Sequence, residues 1–285
     1  MRKNYYEDLT NGINLSDEDK KQSIFDNWQN VAANYGEQED ATIRDLLLRD
    51  LNTKQVCKFI DKDNDIIDIG CGNGFATAIY SDSAKSAIGV DYIPQFIEKA
   101  NKVHCKKNLR FRVGDILDLS NIIQKYGKFD VVIAERTLIN LVSWDDQKKA
   151  IKQLDSILKQ NGLLILTEVT IQGHESMDIL REKHGLPILE KHWNNLYIDE
   201  KAMMDYLMQS NYGHDTCYSL IHKYTFGFYS IISKVLYPCL VYPEESAFNS
   251  HINKIAAEFD PQIPINGIGH QRLFVFKKHY DLAYL

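Results

Sequence analysis

Cysteine is scarce in this chain of 285 residues. Cys57, Cys71, Cys105, Cys217 and Cys239 are five in all, none at CxxC spacing and none beside histidines in a zinc-ligand pattern. That odd, scattered set excludes a disulfide framework and a structural zinc site, and it fits a reducing, cytoplasmic setting. Positive charge is also short, with 33 Lys and Arg against 39 Asp and Glu and a net charge of −6. This balance excludes a protein held on phosphate backbones by bulk charge. Met1 to Thr10 has no apolar core of the kind a signal peptide needs, so secretion by that route is not expected. The nearest thing to a membrane span, Phe226 to Tyr242, is broken by Ser230, Ser233, Lys234 and Pro238, and reads as a buried strand with an apolar lid. The 6 prolines and 15 glycines are spread out, with no repeat or low-complexity linker that would divide the chain into equal domains.

What remains is 44% hydrophobic and 25% charged, with length enough for one large α/β core or one domain carrying an insertion. Ser16 followed by Asp17, Glu18 and Asp19 predicts a helix start, an N-cap hydroxyl with acids at the positive end of the dipole. Ile24, Phe25, Trp28, Val31, Ala32 and Tyr35 continue it at helical spacing up to Gly36. A second helix is predicted over Ala41 to Ile60. Apolar runs at Ile66–Ile69, Ala87–Val90, Leu109–Val113, Phe129–Ala134 and Leu163–Leu166 then alternate with helix-suited stretches at Gly74–Ser81, Pro94–Lys102, Leu119–Tyr126 and Asp145–Leu158. Alternation of this kind predicts parallel strands joined by right-handed crossovers, a doubly wound α/β sheet. Asp215–Ile221 and Arg272–Phe276 add two strands, with residues 233–268 inserted between them.

Asp65 to Phe75 carries the chemistry. It reads as a strand, then Asp68, then glycines at 70, 72 and 74, then a helix. Glycines at such a turn let the backbone approach a ligand closely, and in a doubly wound sheet the turn sits at the carboxyl ends of the strands, where ligands bind. The Gly-Lys-Ser/Thr of a phosphate-binding loop is absent, and Phe75 stands where a dinucleotide fingerprint wants a small residue. Asp68 would repel a pyrophosphate and suit an amino group.

This combination resembles the class I S-adenosylmethionine-dependent methyltransferases, whose first motif is acid-x-Gly-x-Gly-x-Gly. The resemblance continues in register through Asp91 and Tyr92 after the second strand, Gly114-Asp115-Ile116 after the third, Phe129–Ile133 as the fourth and Leu158–Leu166 before and within the fifth. It implies a Rossmann-like seven-stranded sheet, mostly parallel with an antiparallel last strand. It also implies binding of S-adenosylmethionine, with S-adenosylhomocysteine as product. On this reading residues 1–60 form a helical lid, and residues 61–285 form the donor-binding domain, with a substrate-pocket insertion near 233–268. The implied donor contacts are Asp68, Gly70, Gly72, Gly74, Asp91, Tyr92, Asp115, Ile116 and Glu135, with Asp91 on the ribose hydroxyls. Asp91 and Asp115 equally suit helix caps.

Glu135 and Arg136 follow strand four, where the family places the transferred methyl, and are candidates for holding the donor's amino acid part or an acidic substrate group; a salt bridge between loops fits them equally. After strand five, His192-Trp193-Asn194-Asn195-Leu196-Tyr197 mixes rings and amides in a way that suits a sugar or small polar ligand, with His192 as candidate base. Trp28, Tyr35, His174, Asn195 and Tyr197 complete the expected substrate pocket. The other histidines, including His214, His222, His251, His270 and His279, read as surface or structural. No His-x-His or acid pair stands at ligand spacing in the post-strand loops, so no metal is assigned. The preferred acceptor is a hydroxyl of a sugar or polysaccharide precursor, by a weaker resemblance to methyltransferases of bacterial sugars. A small amine, a tRNA or rRNA acceptor, and a non-catalytic donor-binding subunit are the alternatives. The charge and the lack of an Asn/Asp-Pro-Pro-Tyr/Phe motif weigh against nucleic acid.

Overall fold

The computed structural model describes residues 15–208, 216–241 and 250–280. Met1–Thr10, His214, Asp215 and Tyr242 lie outside the described residues. Ser16 caps helix α1 (Asp17–Tyr35) by accepting from the Asp19 N–H at 3.2 Å, as its sequence predicts. The second helix is shorter than expected. Asp45 takes the N-cap of α2 (Leu46–Cys57) and accepts from the Leu48 N–H at 3.0 Å, which leaves residues 41–45 as a loop.

The chain then alternates through β1 (Asp65–Ile69), α3 (Phe75–Tyr80), β2 (Ser86–Asp91), α4 (Pro94–Val103), β3 (Leu109–Val113), α5 (Ser120–Tyr126), β4 (Phe129–Glu135), α6 (Trp144–Ser156) and β5 (Leu158–Val169). Next come α7 (Ile171–Lys183), α8 (Glu200–Met208), β6 (Thr216–Tyr224), the short helices α9 (Gly227–Ile231) and α10 (Tyr237–Leu240) on either side of a π-helical turn (Ile232–Leu236), α11 (His251–Phe259) and β7 (Gln271–Tyr280). The seven strands form one sheet in the order β3-β2-β1-β4-β5-β7-β6. β1 to β5 run parallel, and β7 is antiparallel to both β5 and β6.

The order reverses at β1, whose neighbours are β2 and β4. That reversal opens a crevice at the carboxyl ends of the strands. Both faces of the sheet are buried, which explains the nearly unbroken apolar runs. Ile66, Val131, Ile133, Ile165 and Val275 pack on one face with Leu48, Leu51 and Val56 of α2, while Ile67, Val132, Leu164, Leu166 and Phe276 pack on the other with Ile151 and Leu154 of α6. A third, small core lets α1 lie across the start of α4: Phe25 meets Tyr92 edge-on with ring centres 5.6 Å apart, and Trp28 tilts onto Phe96 at 6.4 Å.

Phe226 and the residues after it depart from the expected strand. β6 stops at Tyr224, Phe226 adopts a left-handed conformation (φ 51), and the chain continues as α9, the π-turn and α10. The apolar residues Phe226, Tyr229 and Val235 are buried at helical spacing. Among the described residues no helix is long and apolar enough to cross a membrane.

Candidate active site

The glycine turn after β1 has the geometry its composition requires. Gly70, Gly72 and Gly74 all have positive φ. At Gly70 a side chain would also collide with the Thr137 hydroxyl, so only a hydrogen fits between the two loops. Asp68 is buried and accepts from the Thr77 hydroxyl at 2.5 Å. Burial pushes its carboxyl up to about 7; Thr77 opposes the shift, and the nearby Glu135 and Asp91 add to it. Asp91, also buried, accepts from the backbone N–H groups of Gly72 and Ile93, both at 2.9 Å, so one carboxylate fixes the glycine turn and the start of α4. Burial raises it to about 6 against those two bonds. Asp115 is exposed and accepts from the Leu117 N–H at 2.8 Å.

Opposite this turn, β4 ends in Glu135, whose carboxylate accepts from the Tyr80 hydroxyl at 3.1 Å. Burial raises its pKa, with Arg136 and Tyr80 opposing. Arg136 adopts a left-handed backbone (φ 52), its N–H donates to the Thr167 carbonyl at 2.7 Å, and its guanidinium reaches the Thr42 carbonyl at 3.3 Å. Thr137 donates to the Ile69 carbonyl at 2.9 Å. This turn is held from below by Glu168, fully buried at the end of β5, whose Oε1 accepts from the N–H groups of Thr137 at 3.0 Å and Leu138 at 2.8 Å. Burial lifts the Glu168 carboxyl to about 8 even against those bonds.

These parts enclose a cavity of about 240 Å³. Its wall brings together Asp68, Gly70, Gly72, Asp91, Tyr92, Asp115, Ile116, Glu135, Arg136 and Trp28, all named from the sequence. Gly74 lies behind the turn as the N-cap of α3. The wall also contains Lys21, Thr42, Ile43, Arg49 and Asn140, which sequence reasoning missed. Thr42 and Ile43 were hidden by the overlong helix prediction; the Asp45 cap was the signal that could have revealed the loop. Asn140 is a junction: its Oδ1 accepts from Trp28 Nε1 of α1 and from Asn194 Nδ2, each at 3.2 Å, and its Nδ2 donates to the Arg136 carbonyl at 2.7 Å.

The other expected residues do not line this cavity. Tyr35 packs in the small core under α1. His192 is exposed, and its carbonyl accepts from the N–H of the half-buried Asn195 at 3.0 Å. The hexapeptide reaches the cavity wall through Asn194 instead. His174 and Tyr197 are buried together, ring centres 5.1 Å apart, and both touch the ring of His270, at 5.3 and 5.9 Å. His270 thus has a place beside predicted pocket residues, whereas His222 packs against Phe59 and Tyr224, and His279 bonds the Ser219 hydroxyl at 2.7 Å.

Residues 60–208 match the family model described as a methyltransferase domain. An uncharacterised protein of Rickettsia prowazekii is 30% identical over 122 residues, which are 41% of this chain and 47% of that protein. Ribosomal protein L11 methyltransferase of Alkaliphilus oremlandii is 28% identical over 143 residues, 48% of this chain and 42% of that one. The chain therefore spans less than half the length of these two relatives. Among solved structures, phosphoethanolamine N-methyltransferase 1 of Haemonchus contortus, in complex with phosphoethanolamine and S-adenosylhomocysteine, superposes with a TM-score of 0.60 at 15% identity, over 94% of this chain and 51% of that one, a likeness of fold.

Proposed function

The chain belongs to the methyltransferase domain family, and on that premise we propose that it transfers a methyl group from S-adenosylmethionine to a small hydroxylated acceptor, with a sugar hydroxyl as the preferred target. The observation that carries the donor assignment is the cavity wall, where the Gly70–Gly72 turn meets three buried or half-buried carboxylates from three strand ends, Asp68, Asp91 and Glu135. The absence of a side chain at Gly70 lets the glycine turn lie directly against Thr137, so that the turns after β1 and β4 border the same cavity. The donor set also fits: carboxylates for an ammonium and for ribose hydroxyls, and apolar Ile116 and Tyr92 for a base.

When bound, S-adenosylmethionine would supply a methyl group activated by its sulfonium for in-line transfer to the acceptor. The chain's own part is to bind and align. Asp68 and Glu135 are placed to hold the amino group of the donor, and Arg136 is placed to hold its carboxylate or an acidic group of the acceptor. Asp91 holds ribose hydroxyls, and Trp28 of α1 closes the wall against water. Proximity and exclusion of water then supply most of the acceleration. The preference for a sugar is supported by the polar, ring-rich segment His192–Tyr197, tied to the wall through Asn194 and Asn140.

Calorimetry with S-adenosylhomocysteine tests the donor assignment. Binding is expected, and Asp91→Ala is expected to weaken it by about tenfold or more, since a hydrogen-bonding carboxylate is lost. No heat of binding to the unaltered chain would refute the assignment.

A further inference from the structure

Arg136 stands in a left-handed backbone conformation (φ 52), which residues with a side chain rarely adopt. Both of its backbone groups hold it there. The N–H donates to the Thr167 carbonyl of β5 and the carbonyl accepts from Asn140 Nδ2, each at 2.7 Å. Such a conformation costs free energy, and costs of this kind cluster where a residue is held ready for a ligand. The guanidinium lines the cavity and, among the described residues, makes a single hydrogen bond, to the Thr42 carbonyl at 3.3 Å, and no ion pair. Arg49, the other arginine of the wall, is by contrast consumed: it holds the carboxylates of Glu39 and Asp50, each at 2.6 Å.

The place of Arg136 in the sheet separates it from the donor's anchors. Asp68, Asp91 and Asp115 stand near the ends of β1, β2 and β3, on one side of β4, and Arg136 is tied to β5 on the other. Beside it Thr42, whose methyl sits over Gly72, has a hydroxyl with no partner among the described residues. Asn140 offers nothing further, since both ends of its amide are bonded. The rest of this side of the wall is apolar, with Trp28, Ile43, Leu141 and Val142. In such surroundings a guanidinium short of acceptors is a strong receptor for an anion.

We infer that Arg136, with the Thr42 hydroxyl beside it, is the specificity-determining anion receptor for the acceptor: the hydroxylated substrate carries an oxyanion, a carboxylate or a phosphate, which this pair takes. The inference rests on the methyltransferase reading above and narrows its acceptor from sugars at large to acidic ones. A guanidinium offers a planar fork of N–H donors and no acceptor, so its complement is an oxyanion that accepts at two oxygens. A neutral hydroxyl takes up one N–H and leaves the charge unmatched. A cationic amine is repelled. The acid is a handle, held and not altered, and it fixes which hydroxyl faces the donor. The donor's own carboxylate is the other oxyanion of suitable chemistry, and affinity for a decarboxylated donor product tells the two apart.

The test pairs neutral hexoses with their uronates and their phosphates, alongside ethanolamine, as acceptors for the full chain with S-adenosylmethionine, read by release of S-adenosylhomocysteine and the mass gain of one methyl group. An acidic member is expected to exceed its neutral parent in kcat/KM by about tenfold or more, chiefly through KM, and Arg136→Gln is expected to remove that ratio. Arg136→Lys, which keeps the charge but not the fork, is expected to retain part of it. Calorimetry of Arg136→Gln with S-adenosylhomocysteine and with its decarboxylated analogue is expected to show both affinities changed by the same factor. Equal or better turnover of the neutral hexoses by the unaltered chain would overturn the inference while leaving the proposed function standing, and that outcome needs no variant to fold. A loss of affinity in Arg136→Gln for S-adenosylhomocysteine alone would put the guanidinium on the donor and overturn it too, as would a methyl ester on the acid itself. Turnover confined to ethanolamine, or none by a chain that binds S-adenosylhomocysteine, would overturn it together with the sugar preference. A chain that binds no S-adenosylhomocysteine fails earlier, at the donor assignment, and the calorimetry above separates that case.

Discussion

Asp68 must be ionised to hold an ammonium, yet its burial raises the carboxyl from 3.8 to about 7. Without donor it therefore carries a proton over much of the range below pH 7. Binding an ammonium expels that proton, so donor affinity rises with pH through this window and levels off above it. Asp91, raised to about 6, acts in the same direction at slightly lower pH. Calorimetry with S-adenosylhomocysteine between pH 5.5 and pH 8.5, a range of about three units set by these carboxyls, is expected to show affinity climbing and then flat. Asp68→Asn is expected to bind weakly with much of that slope gone, and an unchanged slope would count against its role. Asp68 and Asp91 were legible in the sequence because their spacing from the glycines is local. The role of Glu168 was not legible: its grip on Thr137 and Leu138 spans about thirty residues and exists only once β4 and β5 are paired.

Between elements, the same contrast holds. The strands and helices from Asp65 to Ser156 were legible because each is one short run with one period. The start of α2 was not, because the apolar stripe continues through residues 41–45 and only Asp45 marks the true cap. Phe226–Leu240 misled because its rings suit a strand equally well, and the helical solution is set by contacts with distant residues. Tyr229 shows this: its hydroxyl bonds Asp45 Oδ1 at 2.6 Å and its backbone N–H bonds Asp260 Oδ1 at 2.7 Å, so α9 is pinned to the cap of α2. Tyr229→Phe is expected to cost about 1–2 kcal/mol, measured as a lowered thermal midpoint. The loops at the cavity are coupled as tightly. Gly70→Ala combines a positive φ with a collision against Thr137, and is expected to abolish detectable S-adenosylhomocysteine binding while lowering stability by about 1–3 kcal/mol. Retained affinity in that variant would show that the turn does not touch the donor.

For the molecule as a whole, several buried acids set a shared pH dependence. The folded-state carboxyls of Asp68 and Glu168 lie near 7 and near 8, well above their ordinary values of 3.8 and 4.5. Each favours the folded state fully below its ordinary value, and that contribution is lost progressively as pH rises from there to the folded value, with no further loss above it. His174 and His270, held neutral by burial, act in the opposite sense, but only below their ordinary value of 6.5. Thermal melts of the donor-free chain are therefore expected to fall between about pH 6.5 and pH 8 and to level off above that, while saturating S-adenosylhomocysteine offsets the decline; a midpoint that is flat or rising over that window without donor would contradict the assigned burial. The order of the sheet has a consequence of a different kind. β7, last of the seven in sequence, is wedged between β5 and β6. During synthesis β6 therefore emerges with no neighbour to bond to, and β5 keeps one edge open, until β7 arrives and zips both at once. The cofactor half can assemble early on the ribosome, but the closing of this edge is a late event over a long loop, and it is the step most exposed to wrong pairing with another chain.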